Sequence, residues 1–166
     1  MRSWLFVPAD SERKLEKARD VSADALILDL EDSVALPNKA RARKLATRFL
    51  ETSDVERSRV WIRVNPQTGQ EYGQDLAAVL PARPGGIVLP KARSAEDVQA
   101  LVRQLDTFEA AQAAPGVSAA VLPLVTETPE ALFTLGGYAG VGARLAGLTW
   151  VAEYLGSAVG AASVRD

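Results

Sequence analysis

ALILDLEDSVALPNKARARKLATRFL, residues 25–50, is the stretch that decides the fold. Residues 25–30 form a short apolar run, as expected of a parallel strand buried on both faces. Asp29, Glu31 and Asp32 crowd its carboxyl end. From residue 39 to residue 50 the apolar residues return at helical spacing. The stretch therefore reads as a strand, a polar turn and a helix.

The same unit recurs on both sides. Further strands are expected over 3–7, 60–64, 86–89, 119–125 and 145–150. Helices are expected over 12–20, 74–80, 95–105, 129–135 and 153–161, with an alanine-rich loop over 110–115. Ser94 before Ala95, Glu96 and Asp97 reads as an N-cap with acids in the first turn. Thr128 before Pro129 reads as a second cap, with proline at the first helical position. Six strand–helix alternations without a linker imply an α/β protein with a parallel sheet and right-handed crossovers. Two architectures compete, an open doubly wound sheet and a (β/α)8 barrel of the TIM type. A full barrel needs about 250 residues, so 166 leave room for about six units. The expectation is a single partial barrel domain over residues 1–166, with its first and last strand edges covered by something, since exposed edges invite pairing.

Composition narrows the chemistry. The chain has no cysteine, no histidine and a net charge of −2. Thiol nucleophiles, thiolate zinc sites, a Ser-His-Asp triad and an imidazole base are all excluded. Any metal must sit on oxygen ligands, which favours a hard ion such as Mg²⁺. The charge balance argues against nucleic-acid binding, and no apolar run is long enough to span a bilayer. A cytoplasmic protein is expected.

Polar residues gather where the strands end. Asp29, Glu31 and Asp32 follow the second strand, Arg63 and Asn65 the third, Lys91 the fourth, Thr126, Glu127 and Thr128 the fifth, and Glu153 and Tyr154 the sixth. Ligands bind at the carboxyl ends of strands in barrels and open parallel sheets alike. Taken singly, an acid after a strand is ordinarily a helix cap and Lys91 is ordinarily solvated. Arg63 needs a carboxylate partner if buried, either a structural one such as Glu31 or Asp32 or a ligand. The glycines at 136, 137, 140 and 142 precede a strand and read as a loop rather than a phosphate cradle. Trp150 reads as core or rim packing.

Six stretches, LFVPADSERKLEKA, ALILDLEDSVALPNKARAR, VWIRVNP, GIVLPKA, LVTETPEAL and LAGLTWVAEYLGSAVGA, occur in that order along nearly the whole chain. Together they resemble the HpcH/HpaI aldolase and citrate lyase β-subunit family. That resemblance implies a (β/α)8 barrel, usually a homo-oligomer, with Mg²⁺ at the carboxyl ends of its strands. It implies a carbon–carbon lyase that cleaves citryl-, malyl- or citramalyl-CoA-like thioesters to an acyl-CoA and a keto acid. By the same resemblance Glu127 is a metal ligand and Arg63 holds the keto-acid carboxylate. Glu31 and Asp32 orient Arg63 and metal-bound waters, and Ser11 and Lys14 lie where CoA contacts are expected.

Two departures from the family pattern are expected to matter: a C-terminal truncation that leaves out the last two barrel units and the family's C-terminal segment, and a changed metal-ligand motif. Where the family carries an aspartate as second metal ligand, VAEYL places Tyr154. A neutral phenol is a poor Mg²⁺ ligand, and Glu153 beside it is the candidate substitute. The alternative is thus a non-catalytic relative that binds a carboxylate or acyl-CoA, or acts through association, with a degenerate metal site.

Overall fold

The computed structural model describes residues 1–112 and 118–161, and Ala152 and Glu153 by their backbone alone. Five parallel strands follow one another in sequence order, β1 to β5, with α-helices between them. The chain divides into two compact units, Met1–Val88 and Leu89–Asp166.

The first unit holds β1 (Trp4–Pro8), α1 (Glu12–Arg19), β2 (Ala25–Asp29), α2 (Lys39–Thr52), β3 (Val60–Arg63), α3 (Glu71–Val79) and most of β4 (Gly86–Leu89). All five residues of β2 are buried, as its unbroken apolar run predicts, whereas Leu5 and Phe6 of β1 are exposed. The register sets Asp29 beside Arg63 and Trp61 beside Gly86. That second pairing explains the glycine. A Cβ at position 86 would lie 2.3 Å from carbons of the Trp61 ring, which also meets Trp4 edge to face at 5.0 Å. Helices α2 and α3 pack together, burying Ala42, Ala46 and Phe49 from one and Tyr72, Leu76 and Val79 from the other. Helix α3 starts three residues before the expected Gln74, because buried Tyr72 extends its apolar face.

The second unit holds the end of β4, α4 (Ala95–Ala111), β5 (Ala120–Pro123), α5 (Pro129–Thr134) and α6 (Ala152–Ala158). Leu124 N–H donates to the Leu89 carbonyl at 2.9 Å, joining the strand ends. Helix α4 runs through residues 110 and 111, where a loop was expected; the rest of that expected loop, from residue 113, lies outside the described residues. Ser94 and Thr128 do stand at the N-caps of α4 and α5 with extended backbone, yet neither side chain makes the capping bond. Asp97 reaches back instead and accepts from Arg93 N–H at 2.9 Å.

The expected strand over 145–150 is corrected. This segment meets β5 only through two parallel bridges, Val121 with Leu145 and Leu124 with Thr149. Three steps along β5 face four along the other segment, so one residue is extra and the ladder breaks around Gly147, as in a bulge. Arg144 pins the segment's start, donating to Asp106, Glu109 and the Ala119 carbonyl. Trp150 is 71% exposed rather than packed, and the glycine-rich stretch forms a 3-10 helix over Leu135–Gly140.

Candidate active site

The carboxyl ends of β2 and β3 carry the densest polar cluster of the first unit. Its centre is an ion pair between Asp29 and Arg63, neighbours by strand register. Arg63 Nε donates to Asp29 Oδ1 at 2.7 Å and Nη2 to Oδ2 at 2.6 Å, a bidentate fork. The same two oxygens accept the main-chain N–H groups of Glu31 (2.9 Å) and Ser33 (3.1 Å). Asp29 is 1% exposed. Burial raises its pKa, but the hydrogen bonds and charge of Arg63 outweigh this and hold the carboxyl below its usual value. Burial likewise lowers the Arg63 pKa, and Asp29 and Glu31 more than restore it.

Arg63 Nη1 lies 3.0 Å from Glu31 Oε2, and the guanidinium carbon stands 4.8 Å from the Phe6 ring centroid. Of the five N–H groups an arginine carries, Asp29 takes one on Nε and one on Nη2, while the Glu31 contact is an ion pair without hydrogen-bond geometry. Nη1 and the second N–H of Nη2 are left to offer a planar carboxylate. The partner expected for Arg63 was Glu31 or Asp32. Asp29 is the main one, Glu31 the second, and Asp32 is exposed.

Behind this pair lies a network that reading the sequence missed. The buried Lys39 ammonium donates to the Leu30 and Glu31 carbonyls at 2.6 Å each and to Asn65 Oδ1 at 2.8 Å. Asn65 Nδ2 donates to the Leu30 carbonyl and to Asp75 Oδ2, and fully buried Asp75 also accepts from Asn65 N–H and from Arg43. Burial depresses the Lys39 pKa, and Asp75, Asp29, Glu31 and Asp32 only partly offset it. A signal was available: Lys39 and Arg43 are four apart, so they share one helix face with Ala42 and Ala46, and that face is buried. Basic side chains on a buried face imply acceptors nearby.

The amino-terminal candidates behave differently. Ser11 caps α1, its hydroxyl accepting from Lys14 N–H at 3.4 Å, and the Lys14 side chain is solvent-exposed. A cleft between α1 and α2, lined by Glu12, Leu15, Arg19 and Phe49, lies on the helical face and brings none of the candidates together.

In the second unit, Glu127 is 5% exposed and its Oε2 accepts the Lys91 main-chain N–H at 2.5 Å. Lys91 has φ +53°, a left-handed conformation that costs a non-glycine residue about 1–3 kcal/mol and gathers at functional sites. Its ammonium lies 5.1 Å from the centroid of the Tyr154 ring. Thr126 places that ring: its hydroxyl accepts from Val151 N–H at 3.0 Å, one residue before α6 begins. The Glu153 side chain lies outside the described residues.

The sequence matches the family model described as HpcH/HpaI aldolase/citrate lyase over residues 2–134. The chain belongs to this family. It is 44% identical over 100 residues to a (3S)-malyl-CoA thioesterase of Cereibacter sphaeroides, covering 60% of this chain and 35% of that protein. The chain thus spans about a third of that relative's length. Among solved structures it is similar to the citrate lyase beta subunit from Mycobacterium tuberculosis complexed with oxaloacetate and magnesium. That likeness has a TM-score of 0.77 and 31% identity over 98% of this chain and 63% of the other. It is also similar, at TM-score 0.77 and 31% identity over 98% of this chain and 53% of that one, to the protein CitE from the same organism. That protein is in complex with magnesium, acetoacetate and coenzyme A. The α/β, parallel-sheet architecture is thus that of citrate lyase β subunits, in agreement with a partial barrel.

Magnesium favours an octahedral shell of oxygens, chiefly carboxylates and water. At this end of the second unit the described side chains offer one buried carboxylate, a phenol, and an ammonium resting on that phenol's ring. Glu127 is the carboxylate among them able to enter such a shell. No helix among the described residues is long and apolar enough to cross a membrane.

Proposed function

We propose that this family member carries the keto-acid part of a carbon–carbon lyase site acting on a citryl-, malyl- or citramalyl-CoA-like thioester. In that reaction the substrate hydroxyl loses its proton and the carbon–carbon bond breaks. Its electron pair passes to the thioester's α-carbon. A keto acid and an enolate result, and the enolate takes up a proton. Arg63 receives the keto-acid carboxylate on Nη1 and Nη2 N–H groups that Asp29 does not hold, adding fixed charge in a site sheltered from water. Its locking by Asp29 carries the reading: the fork is oriented before any ligand arrives, so little is spent on ordering it. Glu31 serves as the second orienting acid. Lys14 and Ser11 remain the candidate contacts for CoA, Ser11 at the start of the helix it caps.

One observation supports a second reading, a relative that binds the carboxylate without turning it over. Tyr154 stands under Lys91, where catalysis through Mg²⁺ calls for another acid.

Titration calorimetry with oxaloacetate or glyoxylate tests the shared part. Binding should weaken at least about tenfold in Arg63→Met, the loss expected of a hydrogen bond between charged groups. Equal affinity in the variant refutes the placement of the carboxylate. Incubation with malyl-CoA and citramalyl-CoA, trapping released keto acid as its hydrazone, separates the lyase from the binding-only relative.

A further inference from the structure

One face of the Arg63 guanidinium is closed by a ring from the first unit itself. The register puts Phe6, Ile27 and Trp61 on one rung of the sheet, and Pro8, Asp29 and Arg63 on the rung two residues further on. Side chains two apart on a strand share a face, so Phe6, Asp29 and Arg63 stand on the same side of the sheet. There the guanidinium carbon lies 4.8 Å from the centroid of the Phe6 ring, a cation held over the ring's negative face. The ring is not used up by this contact. Phe6 is 43% exposed, on an end strand of the sheet, whereas Arg63 beside it is buried. Two constraints therefore act on one cation. The Asp29 fork fixes the plane of the guanidinium, and the ring covers one of the two faces of that plane. Arginine N–H groups point outward within the plane, so an anion reaches the remaining donors edge-on.

We propose that Phe6 sets which enantiomer of a 2-hydroxy acid this site accepts, by walling one face of the Arg63 guanidinium so that the carbon chain leaves from the other. The inference rests on the reading above, in which Arg63 receives the carboxylate. A carboxylate paired edge-on with the fork lies in the guanidinium plane. A 2-hydroxy acid holds its hydroxyl oxygen close to its carboxylate plane, so the hydrogen and the chain on that carbon project to opposite sides. One enantiomer turns its hydrogen toward the ring and fits. Its mirror image drives the chain into the ring, a built-in clash of the kind that gives specificity. In the thioester that chain carries the bond that breaks, so the same wall fixes the face of the keto acid from which the enolate departs.

The test is calorimetric displacement of oxaloacetate from the whole 166-residue chain by (R)-lactate and by (S)-lactate, which carry a single carboxylate each. In wild type the two affinities should differ at least about tenfold. In Phe6→Ala the weaker enantiomer should gain, closing the ratio to within about twofold. Phe6→Tyr keeps the ring and should keep the ratio. Circular dichroism confirms that each variant is folded, and Phe6→Val takes the place of an alanine variant that is not. A ring that only props Arg63 would weaken both enantiomers alike in Phe6→Ala and leave their ratio unchanged. That result overturns the proposal, as does a ratio near one in wild type. If Arg63→Met still weakens oxaloacetate binding in either case, the role of Phe6 falls alone and the keto-acid reading stands. Oxaloacetate bound equally by Arg63→Met, or not bound at all by folded wild type, sinks both.

Discussion

Replacing Asp29 by asparagine changes one atom, and the geometry makes that change severe. Each carboxylate oxygen accepts one guanidinium N–H and one main-chain N–H: Oδ1 takes Arg63 Nε and Glu31, Oδ2 takes Arg63 Nη2 and Ser33. An asparagine can satisfy only one such pair. Whichever way its amide is turned, its NH₂ faces two donors, and flipping offers no escape. Two hydrogen bonds are lost, two donor–donor contacts arise, and Arg63 stays buried without its bidentate partner, facing Glu31 at 3.0 Å. Breaking one side of a buried pair costs about 3–5 kcal/mol, a large share of the 5–15 kcal/mol that typically holds a domain. Urea unfolding followed by tryptophan fluorescence reads this directly, because Trp4 and Trp61 stack edge to face in the same unit. The midpoint should fall steeply at an unchanged slope. A loss below about 1 kcal/mol would refute the claim that this pair organises the strand ends.

The same carboxyl gives a pH signature. Its folded pKa lies below the ordinary aspartate value of 3.8 because Arg63 outweighs the burial that would raise it. Its contribution is therefore complete above that value and is lost as pH falls through the lower, folded one. Wild type should lose stability below about pH 4, and Asp29→Asn should show a flatter acid limb. Parallel acid limbs would mean that other carboxylates dominate.

Three further outcomes are expected. Gly86→Ala drives a methyl into the Trp61 ring and should cost about 1–3 kcal/mol in thermal or urea unfolding; an unchanged midpoint would show that the ring can yield. Tyr138→Phe removes a buried hydroxyl with no partner among the described residues and should stabilise by about 1 kcal/mol. In wild type that phenol, pushed up to about 12 by burial and by Asp97 and Glu96, should titrate last in an ultraviolet pH scan and cost stability as pH rises past its ordinary 10. Lys39→Met leaves the Glu31 carbonyl and Asn65 Oδ1 without their ammonium and should cost about 3 kcal/mol in the urea midpoint; a neutral result would show that water replaces it.

The strands were legible because parallel strands buried on both faces need continuous apolar runs, and β2 and β4 are little else. The segment at 145–150 has the same composition and still fails as a strand, because pattern records burial and not the four-against-three mismatch that breaks a ladder. The polar strand ends were legible as a set, yet their pairing was not. Arg63 was matched to acids in the turn, although the charge already inside β2 is the one its register delivers. An acid within an apolar strand is costly to bury, so it must be matched by a fixed cation on the neighbouring strand, whereas acids in a turn can reach water. Applied to α2, the same reasoning assigns acceptors to Lys39 and Arg43 because Ala42 and Ala46 show that their face is buried. At the other end of the chain it explains why composition alone could not assign Lys91. A lysine after a strand is solvated unless something holds it, and what holds this one is a backbone turned to φ +53° and a tyrosine ring 63 positions away in sequence.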